Sequence, residues 1–165
     1  MQERSLEADL NLIAATLRAQ GRYLVTAESC TAGLLAARLV EVSGASDWFY
    51  GSFVAYQAQA KAQMLNIAPD LLEEHGMVSE VTALEMADKS LAHTSAHYAI
   101  AITGLAGPSG DGTGVSVGEL WIAWADKVAG LSSAEQFHLD CDRQSFRTTA
   151  CRLAVDGFVK RYCTA

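Results

Sequence analysis

Four neighbouring side chains that could do chemistry follow a short apolar strand near the start of the chain: Glu28, Ser29, Cys30 and Thr31. The apolar residues 23–25 precede them and an apolar helix begins close behind, which indicates a strand-to-helix turn. Such a turn exposes backbone N–H groups beside small side chains, so a serine there could be a nucleophile with its oxyanion donors at hand. Serine and threonine are also the commonest helix N-caps, so the stretch alone fits a capping cluster as well.

A lysine with two reasons to lose its charge follows the next predicted strand. Lys61 lies in the first turns of a predicted helix, Gln57–Leu65, where the helix dipole disfavours a positive charge. Neighbouring alanines indicate partial burial, and desolvation also lowers the pKa of a lysine. A neutral lysine can accept the proton of a serine hydroxyl, and Ser-Lys pairs are a known variant of the catalytic triad. Lys61 is therefore the candidate base for Ser29, although exposure on a helix is the commoner fate of a lysine.

A glycine-rich segment, residues 104–114, follows the most apolar predicted strand, which ends at Thr103. It lacks the lysine of a P-loop and the spacing of a dinucleotide-binding turn. Long glycine loops are often functional, but this one also fits a simple connection. If the strands that end near Glu28, Tyr56 and Thr103 are parallel neighbours, their ends and this loop meet at one edge of the sheet, where ligands bind in such folds.

Two arginines are spaced to share one face of the last predicted helix. Arg143 and Arg147 are four residues apart near its start, where free backbone N–H groups also lie. Together these donors would suit a phosphate or a carboxylate. Salt bridges from the same arginines to Asp140 and Asp142 explain the pattern equally well.

The elements that must position these groups alternate between helix and strand. Helical spacing predicts helices at about 6–20, 31–42, 57–65, 69–75, 79–93 and 142–162. Strands are predicted at about 23–28, 48–56, 97–103, 117–125 and 131–139, and the last two form a hairpin. This order predicts one domain over residues 1–165, an α/β fold built as a three-layer α/β/α sandwich with a mixed, mostly parallel sheet.

Composition narrows the classes of function. The net charge of −7 over 165 residues argues against a nucleic-acid surface. No signal peptide and no apolar run of the ~20 residues that span a membrane is visible, which predicts a cytoplasmic protein. The four cysteines and four histidines show no metal-ligand spacing, so no metal is predicted. Helix faces rich in alanine and glycine favour a homo-oligomer, with a dimer as the first expectation.

Several segments, taken together and in this order, resemble the CinA C-terminal domain family, whose studied members are nicotinamide mononucleotide deamidases. The resemblance covers nearly the whole chain, and the A-E-S-C-T and G-x-A-G-P motifs are its most specific parts. The segments that carry it are Thr26–Gly33, Gly51–Tyr56, Lys61, Gly76–Glu80, Gly104–Pro108, Val117–Gly118, Asp142–Arg143 and Arg147.

The resemblance implies a serine amidohydrolase that converts nicotinamide mononucleotide to nicotinate mononucleotide and ammonia. It implies Ser29 as the nucleophile and Lys61 as its base, with the hydroxyls of Tyr56 and Thr103 nearby. It implies neither a metal nor another cofactor, and a small nucleotide as the partner. The substrate contacts predicted around this group are Glu28, Cys30, Thr31, Gly104, Ala106, Gly107, Arg143 and Arg147.

The chain departs from the family pattern beside the lysine. Members of the family usually have Ser-Asn after the tyrosine, whereas this chain has Gln57 and Ala58. Smaller departures are Ala32 in place of a glycine and Ser116 in place of a proline. Two alternatives therefore stay open: a catalytically silent member that binds a nucleotide or a partner protein, and an amidase of another small carboxamide.

Overall fold

A computed structural model describes residues 4–163 of the chain. Its strands are β1 (Leu24–Glu28), β2 (Phe49–Val54), β3 (Tyr98–Gly104), β4 (Glu119–Asp126) and β5 (Leu131–His138). Its α-helices are α1 (Leu6–Gln20), α2 (Leu34–Leu39), α3 (Ala58–Leu65), α4 (Pro69–His75), α5 (Glu80–Ala92) and α6 (Arg143–Phe158). A short 3₁₀ helix covers Ala45–Asp47, and a π-helical turn at Val159–Cys163 follows α6.

The sheet has the strand order β2-β1-β3-β4-β5. Strand β1 is parallel to both of its neighbours, and β4 is antiparallel to both of its own. Four of the five strands therefore run in one direction, which confirms the mixed, mostly parallel sheet. Glu28 pairs with Val54 on one side and Ile102 on the other, so the carboxyl ends of β1, β2 and β3 do meet at one edge.

The side chains of the central strands alternate between two cores of different size. On one face Leu24, Ile100 and Ile102 pack with α1, α2 and α6. On the other face the strands present mostly small residues, such as Ala27 and Ala101, to α3, α4 and α5. Successive strand residues point to opposite faces, so this alternation buries the sheet under helices on both sides. The predicted three-layer architecture is confirmed.

The main difference from the predicted boundaries lies just after β1. The helix expected over residues 31–42 begins only at Leu34, because the chain first makes an irregular turn. Ala32 and Gly33 have φ angles of 48° and 91°, in the left-handed region that few side chains favour. Other predicted helix ends are confirmed: Pro69 opens α4, and the Ser79 hydroxyl caps α5 by accepting from the Thr82 N–H at 3.2 Å.

Two kinds of feature are absent from residues 4–163. None of the helices there has both the length and the apolar character needed to cross a membrane. The same residues hold no group of three or more histidine, cysteine, aspartate or glutamate side chains that could bind a metal ion.

Candidate active site

A buried carboxylate holds the turn that follows β1. Glu28 is fully buried and its Oε1 accepts from the Thr31 hydroxyl at 2.7 Å and from the Leu35 N–H at 2.9 Å. Its Oε2 accepts from the Ala36 N–H at 2.9 Å and from the Ser52 hydroxyl at 3.2 Å. Glu28 therefore caps the start of α2 from the preceding strand, and the predicted capping role of the hydroxyls in this stretch is wrong.

This arrangement also changes the roles predicted for Glu28 and Thr31. Both side chains are fully buried and bonded to each other beneath the turn. A carboxylate surrounded by four strong donors has no capacity left for a ligand. Direct substrate contact by these two side chains is therefore not supported, and their position is that of a support for the residue between them.

Ser29 projects from this turn toward Lys61 of α3. The Lys61 Nζ lies 2.8 Å from the Ser29 Oγ, within direct hydrogen-bond distance. The same Nζ donates to the backbone carbonyls of Ala55 and Tyr56 at 3.1 and 3.2 Å. Because β2 lies beside β1, the helix that follows β2 places Lys61 next to Ser29. When the amine is neutral, the two carbonyls take its two N–H groups and its lone pair remains for the Ser29 hydroxyl.

Burial is the main influence on Lys61. Its side chain is completely inaccessible to solvent, and this desolvation lowers its pKa from 10.5 to about 8, against a small opposing effect of Cys30. No carboxylate forms an ion pair with it among the residues that the structure describes. A substantial fraction of the lysine is therefore neutral near physiological pH, as a general base requires.

A pocket of about 190 Å³ opens onto this pair. Ser29 is 6% exposed, so its hydroxyl is reachable only through the pocket. Lining residues come from the carboxyl ends of β1, β2 and β3, from the glycine loop, from α3 and the start of α6, and from the segment before α5. They are Ser29, Cys30, Tyr56, Lys61, Met77, Val78, Thr103, Gly104, Leu105, Ala106, Asp111 and Arg143.

Cys30 lies beside the serine but is a poor nucleophile. Burial raises the pKa of its thiol to about 12, although nearby Lys61 acts in the opposite direction. The thiol therefore stays protonated at neutral pH, and thiolate is the reactive form. Of these two neighbours, Ser29 is therefore the better candidate nucleophile.

Some of the backbone N–H groups around the pocket already donate to carbonyls of the protein, and others have no such acceptor in the described part of the chain. The Ser29 N–H donates to the Ile102 carbonyl at 2.9 Å, and the Leu105 N–H donates to the Glu119 carbonyl at 2.9 Å. Neither can serve an oxyanion without breaking a strand or loop contact. The Ala106 N–H has no acceptor among residues 4–163, and Ala106 lines the pocket. Its N–H is therefore a candidate donor for an oxyanion.

Thr103 and Tyr56 occupy different parts of the pocket. The Thr103 hydroxyl donates to the Met77 carbonyl at 2.6 Å, which fixes the segment that forms one wall. Tyr56 is half exposed at the mouth, where its hydroxyl accepts from an Arg143 Nη at 2.9 Å. Neither hydroxyl bonds to Ser29 or Lys61 in the structure, so both are placed to shape the pocket.

The two arginines divide between the mouth and the base of the site. Arg143 bridges the Gly107 carbonyl and the Tyr56 hydroxyl, at 2.8 and 2.9 Å. Arg147 donates to the carbonyls of Cys30 and Thr31, at 3.1 and 2.8 Å. Ion pairs of these arginines with the acidic residues before α6 do not form within residues 4–163. Arg147 thus holds the turn that carries Ser29, and Arg143 is the arginine that lines the pocket.

A model of the CinA C-terminal domain matches residues 7–162. The chain belongs to this family. Nicotinamide-nucleotide amidohydrolase PncC of Escherichia coli is 39% identical over 142 residues, which cover 86% of each protein. A CinA-like protein of Solibacter usitatus is 39% identical over 150 residues, 91% of this chain but 36% of that longer protein. Competence damage-inducible protein A of Klebsiella pneumoniae, a solved structure, has a TM-score of 0.91 at 30% identity, covering 96% of this chain and 97% of that one.

The departures from the family pattern lie outside the pocket. Gln57 is exposed at the start of α3, where its backbone carbonyl accepts from the Lys61 N–H at 3.0 Å. Ala58 is half-buried, packs against the core beneath α3, α4 and α5, and lines a separate groove between α3 and α4. Neither side chain lines the cavity that holds Ser29. The backbone at these positions places Lys61 2.8 Å from the Ser29 Oγ, and neither side chain takes part in that contact.

Four pocket residues were not predicted from the sequence: Met77, Val78, Leu105 and Asp111. Met77 and Val78 precede α5 and give the pocket an apolar wall. Their signal in the sequence was the Gly76–Glu80 segment of the family resemblance, which did not specify a role. Asp111 lies within the glycine-rich segment, where no periodicity indicates the direction of a side chain.

Proposed function

We propose that this protein is a nicotinamide-nucleotide amidohydrolase that hydrolyses the carboxamide of nicotinamide mononucleotide. The observation that carries the proposal is the 2.8 Å separation between Ser29 Oγ and the Nζ of buried Lys61. Its substrate is suggested by the PncC relative, which is similar along 86% of its own length. An uncharged amine beside a serine hydroxyl at the floor of a small pocket suits hydrolysis of an unactivated amide.

The first half-reaction forms an acyl-enzyme. Ser29 Oγ attacks the carboxamide carbon while its proton passes to neutral Lys61. The carbonyl oxygen becomes an oxyanion, for which the Ala106 N–H is the proposed donor. When the tetrahedral intermediate collapses, the Lys61 ammonium returns the proton to the departing nitrogen. Ammonia leaves, and an ester joins Ser29 to the nicotinoyl group.

The second half-reaction uses water in place of the serine. Lys61 accepts a proton from a water molecule as its oxygen attacks the ester carbon. Collapse breaks the bond to Ser29 Oγ, and Lys61 gives the proton back to that oxygen. The products are the nicotinate nucleotide and the regenerated enzyme, and no step requires a cofactor.

The size of the pocket suggests how the nucleotide lies. Pockets that enclose a whole ligand usually hold ~300–1,000 Å³, whereas this one holds about 190 Å³. We expect the ring and its carboxamide to enter, with Met77 and Val78 against the ring. The ribose phosphate then remains at the mouth near Arg143. A guanidinium has five N–H donors, and the bonds to Gly107 and Tyr56 use two of them.

Ammonia release from nicotinamide mononucleotide by the purified protein tests this proposal. Ser29→Ala and Lys61→Ala should each lower kcat/KM by at least ~1,000-fold, as removal of members of a reactive unit does. Ser46→Ala and Lys89→Ala replace a serine and a lysine far from the pocket and should keep full activity. Equal activity in all five proteins would rule out the dyad.

Two other outcomes would indicate the alternatives. Thermal stabilisation by the mononucleotide without turnover would indicate a silent member that only binds it. Turnover of other small carboxamides, but not of the nucleotide, would indicate a different amidase. The homo-oligomer, with a dimer as first expectation, and the cytoplasmic location stay predictions.

A further inference from the structure

The loop between β3 and β4 brings a carboxylate back to the active-site pocket. The Gly118 N–H donates to the Leu105 carbonyl at 2.8 Å and closes the base of the loop. Arg143 holds the same loop through the Gly107 carbonyl at 2.8 Å. Between these fixed points lies Asp111, which lines the same cavity as Ser29.

The carboxylate of Asp111 is held in place but its charge is not neutralised. Its Oδ1 accepts from both the N–H and the hydroxyl of Thr113. These bonds lower the pKa of Asp111, so it is ionised at neutral pH. No lysine, arginine or histidine lies within ion-pair distance of it among residues 4–163.

The other charged groups of the pocket have the opposite sign. Lys61 and Arg143 line it, and Asp111 is the one carboxylate in its lining within the described part of the chain. A ring attached to ribose through its pyridine nitrogen carries a permanent positive charge, whereas a free carboxamide ring is neutral. Arg143, and Lys61 when it is protonated, would repel the charged ring, whereas a carboxylate at the exposed edge of the pocket would attract it.

We propose that Asp111 is a specificity residue that favours a carboxamide on a cationic, N-ribosylated ring over the same carboxamide on an uncharged ring. This inference rests on the proposed function and deepens it. The selection acts through charge at the mouth of the pocket, while Ser29 and Lys61 perform the chemistry. A cationic ring so bound would also favour the neutral form of Lys61, because like charges repel.

The test compares two nucleotides that differ in ring charge and little else. One is nicotinamide mononucleotide, and the other is its uncharged carbon-linked isostere, the 5′-phosphate of benzamide riboside. Asp111→Asn keeps the size of the side chain and the Oδ1 acceptor for Thr113. Asp70→Asn removes one charge from the exposed start of α4 and is the matched control.

We expect Asp111→Asn to lower kcat/KM for the cationic nucleotide about fivefold and to change it less than about twofold for the isostere. The ratio of the two effects cancels the different reactivities of the two amides. The preference should shrink in ~1 M salt, where the screening length falls to ~3 Å. Asp70→Asn should leave the ratio unchanged.

Equal effects of Asp111→Asn on both nucleotides would overturn the inference and leave the proposed function intact. Dissociation constants of both nucleotides, measured by calorimetry on Ser29→Ala with and without Asp111→Asn, test the charge preference without turnover. A charge preference in binding with no hydrolysis by the unmodified protein would support Asp111 and refute the proposed function. The two failures are therefore distinguishable.

Discussion

At the scale of single residues, the protonation of Lys61 should set the dependence of activity on pH. Its pKa is lowered to about 8 by burial, and in the proposed mechanism the neutral amine accepts the Ser29 proton. The active fraction is therefore small below pH ~7 and rises as pH passes through about 8. We predict that kcat/KM increases with pH and reaches a plateau above that value, a rise of about tenfold between pH ~7 and pH ~9.

A steady-state profile from about pH 6.5 to about pH 9.5 measures this. The phosphate of the substrate titrates near pH ~6 and Asp111 well below that, so neither produces the expected limb. A profile that is flat or falls across this range would contradict Lys61 as the base. It would mean that another group accepts the Ser29 proton.

At the scale of secondary-structure elements, the turn between β1 and α2 depends on Glu28. Helix α2 has only six residues, and its first N–H groups are satisfied by this carboxylate. Arg147 of α6 binds the carbonyls of the same turn from the other side. The position of Ser29 is thus fixed from two sides. The Glu28 carboxylate accepts from N–H groups after the turn, and the Arg147 guanidinium donates to C=O groups within it. Ala32, with its left-handed φ, sits between these two supports.

Glu28→Gln should destabilise the fold by about 2 kcal/mol, because its NH₂ group would face an N–H donor of α2. Activity should fall as well, through kcat, since the serine loses its fixed position. Urea unfolding and steady-state kinetics measure the two effects. Glu41→Gln removes an exposed carboxylate paired with Arg38 at 2.9 Å and should cost less than ~0.5 kcal/mol. Full stability of Glu28→Gln would show that the carboxylate does not hold the turn.

The order and type of the helices and strands could be predicted, because they follow from the periodicity of apolar residues, from glycines at turns and from helix-capping residues. The meeting of Ser29 with Lys61 depended on an assumption, that β1 and β2 are parallel neighbours, which the sheet fulfils. The roles of individual side chains in the turn could not be predicted, because a glutamate in the sequence looks the same whether its carboxylate contacts substrate or caps a helix. Glu28 and Arg147 illustrate this, since both bind backbone groups. Asp111 was missed because a loop lacks the repeat that reveals which way side chains point.

At the scale of the whole molecule, α6 connects the site to the far end of the sheet. Arg143 and Arg147 stand at its start, and its last turns lie on β4. There the Trp124 Nε1 donates to the Ala154 carbonyl at 2.9 Å, and the indole lies directly against Gly157. If α6 moves as a rigid body, a shift of this contact also moves the arginines that hold the Ser29 turn and the glycine loop.

Gly157→Ala tests this coupling. A Cβ at that position would overlap the fully buried Trp124 ring, so we expect a loss of about 2 kcal/mol of unfolding free energy despite the better helix propensity of alanine. Gly110→Ala, where a Cβ meets nothing within 4 Å, should be near neutral in the same denaturation experiment. If α6 moves as a rigid body, Gly157→Ala also lowers kcat at temperatures where the protein remains folded. Lost stability with unchanged kcat would show that α6 yields locally at the tryptophan and that the position of its first turn does not depend on this contact.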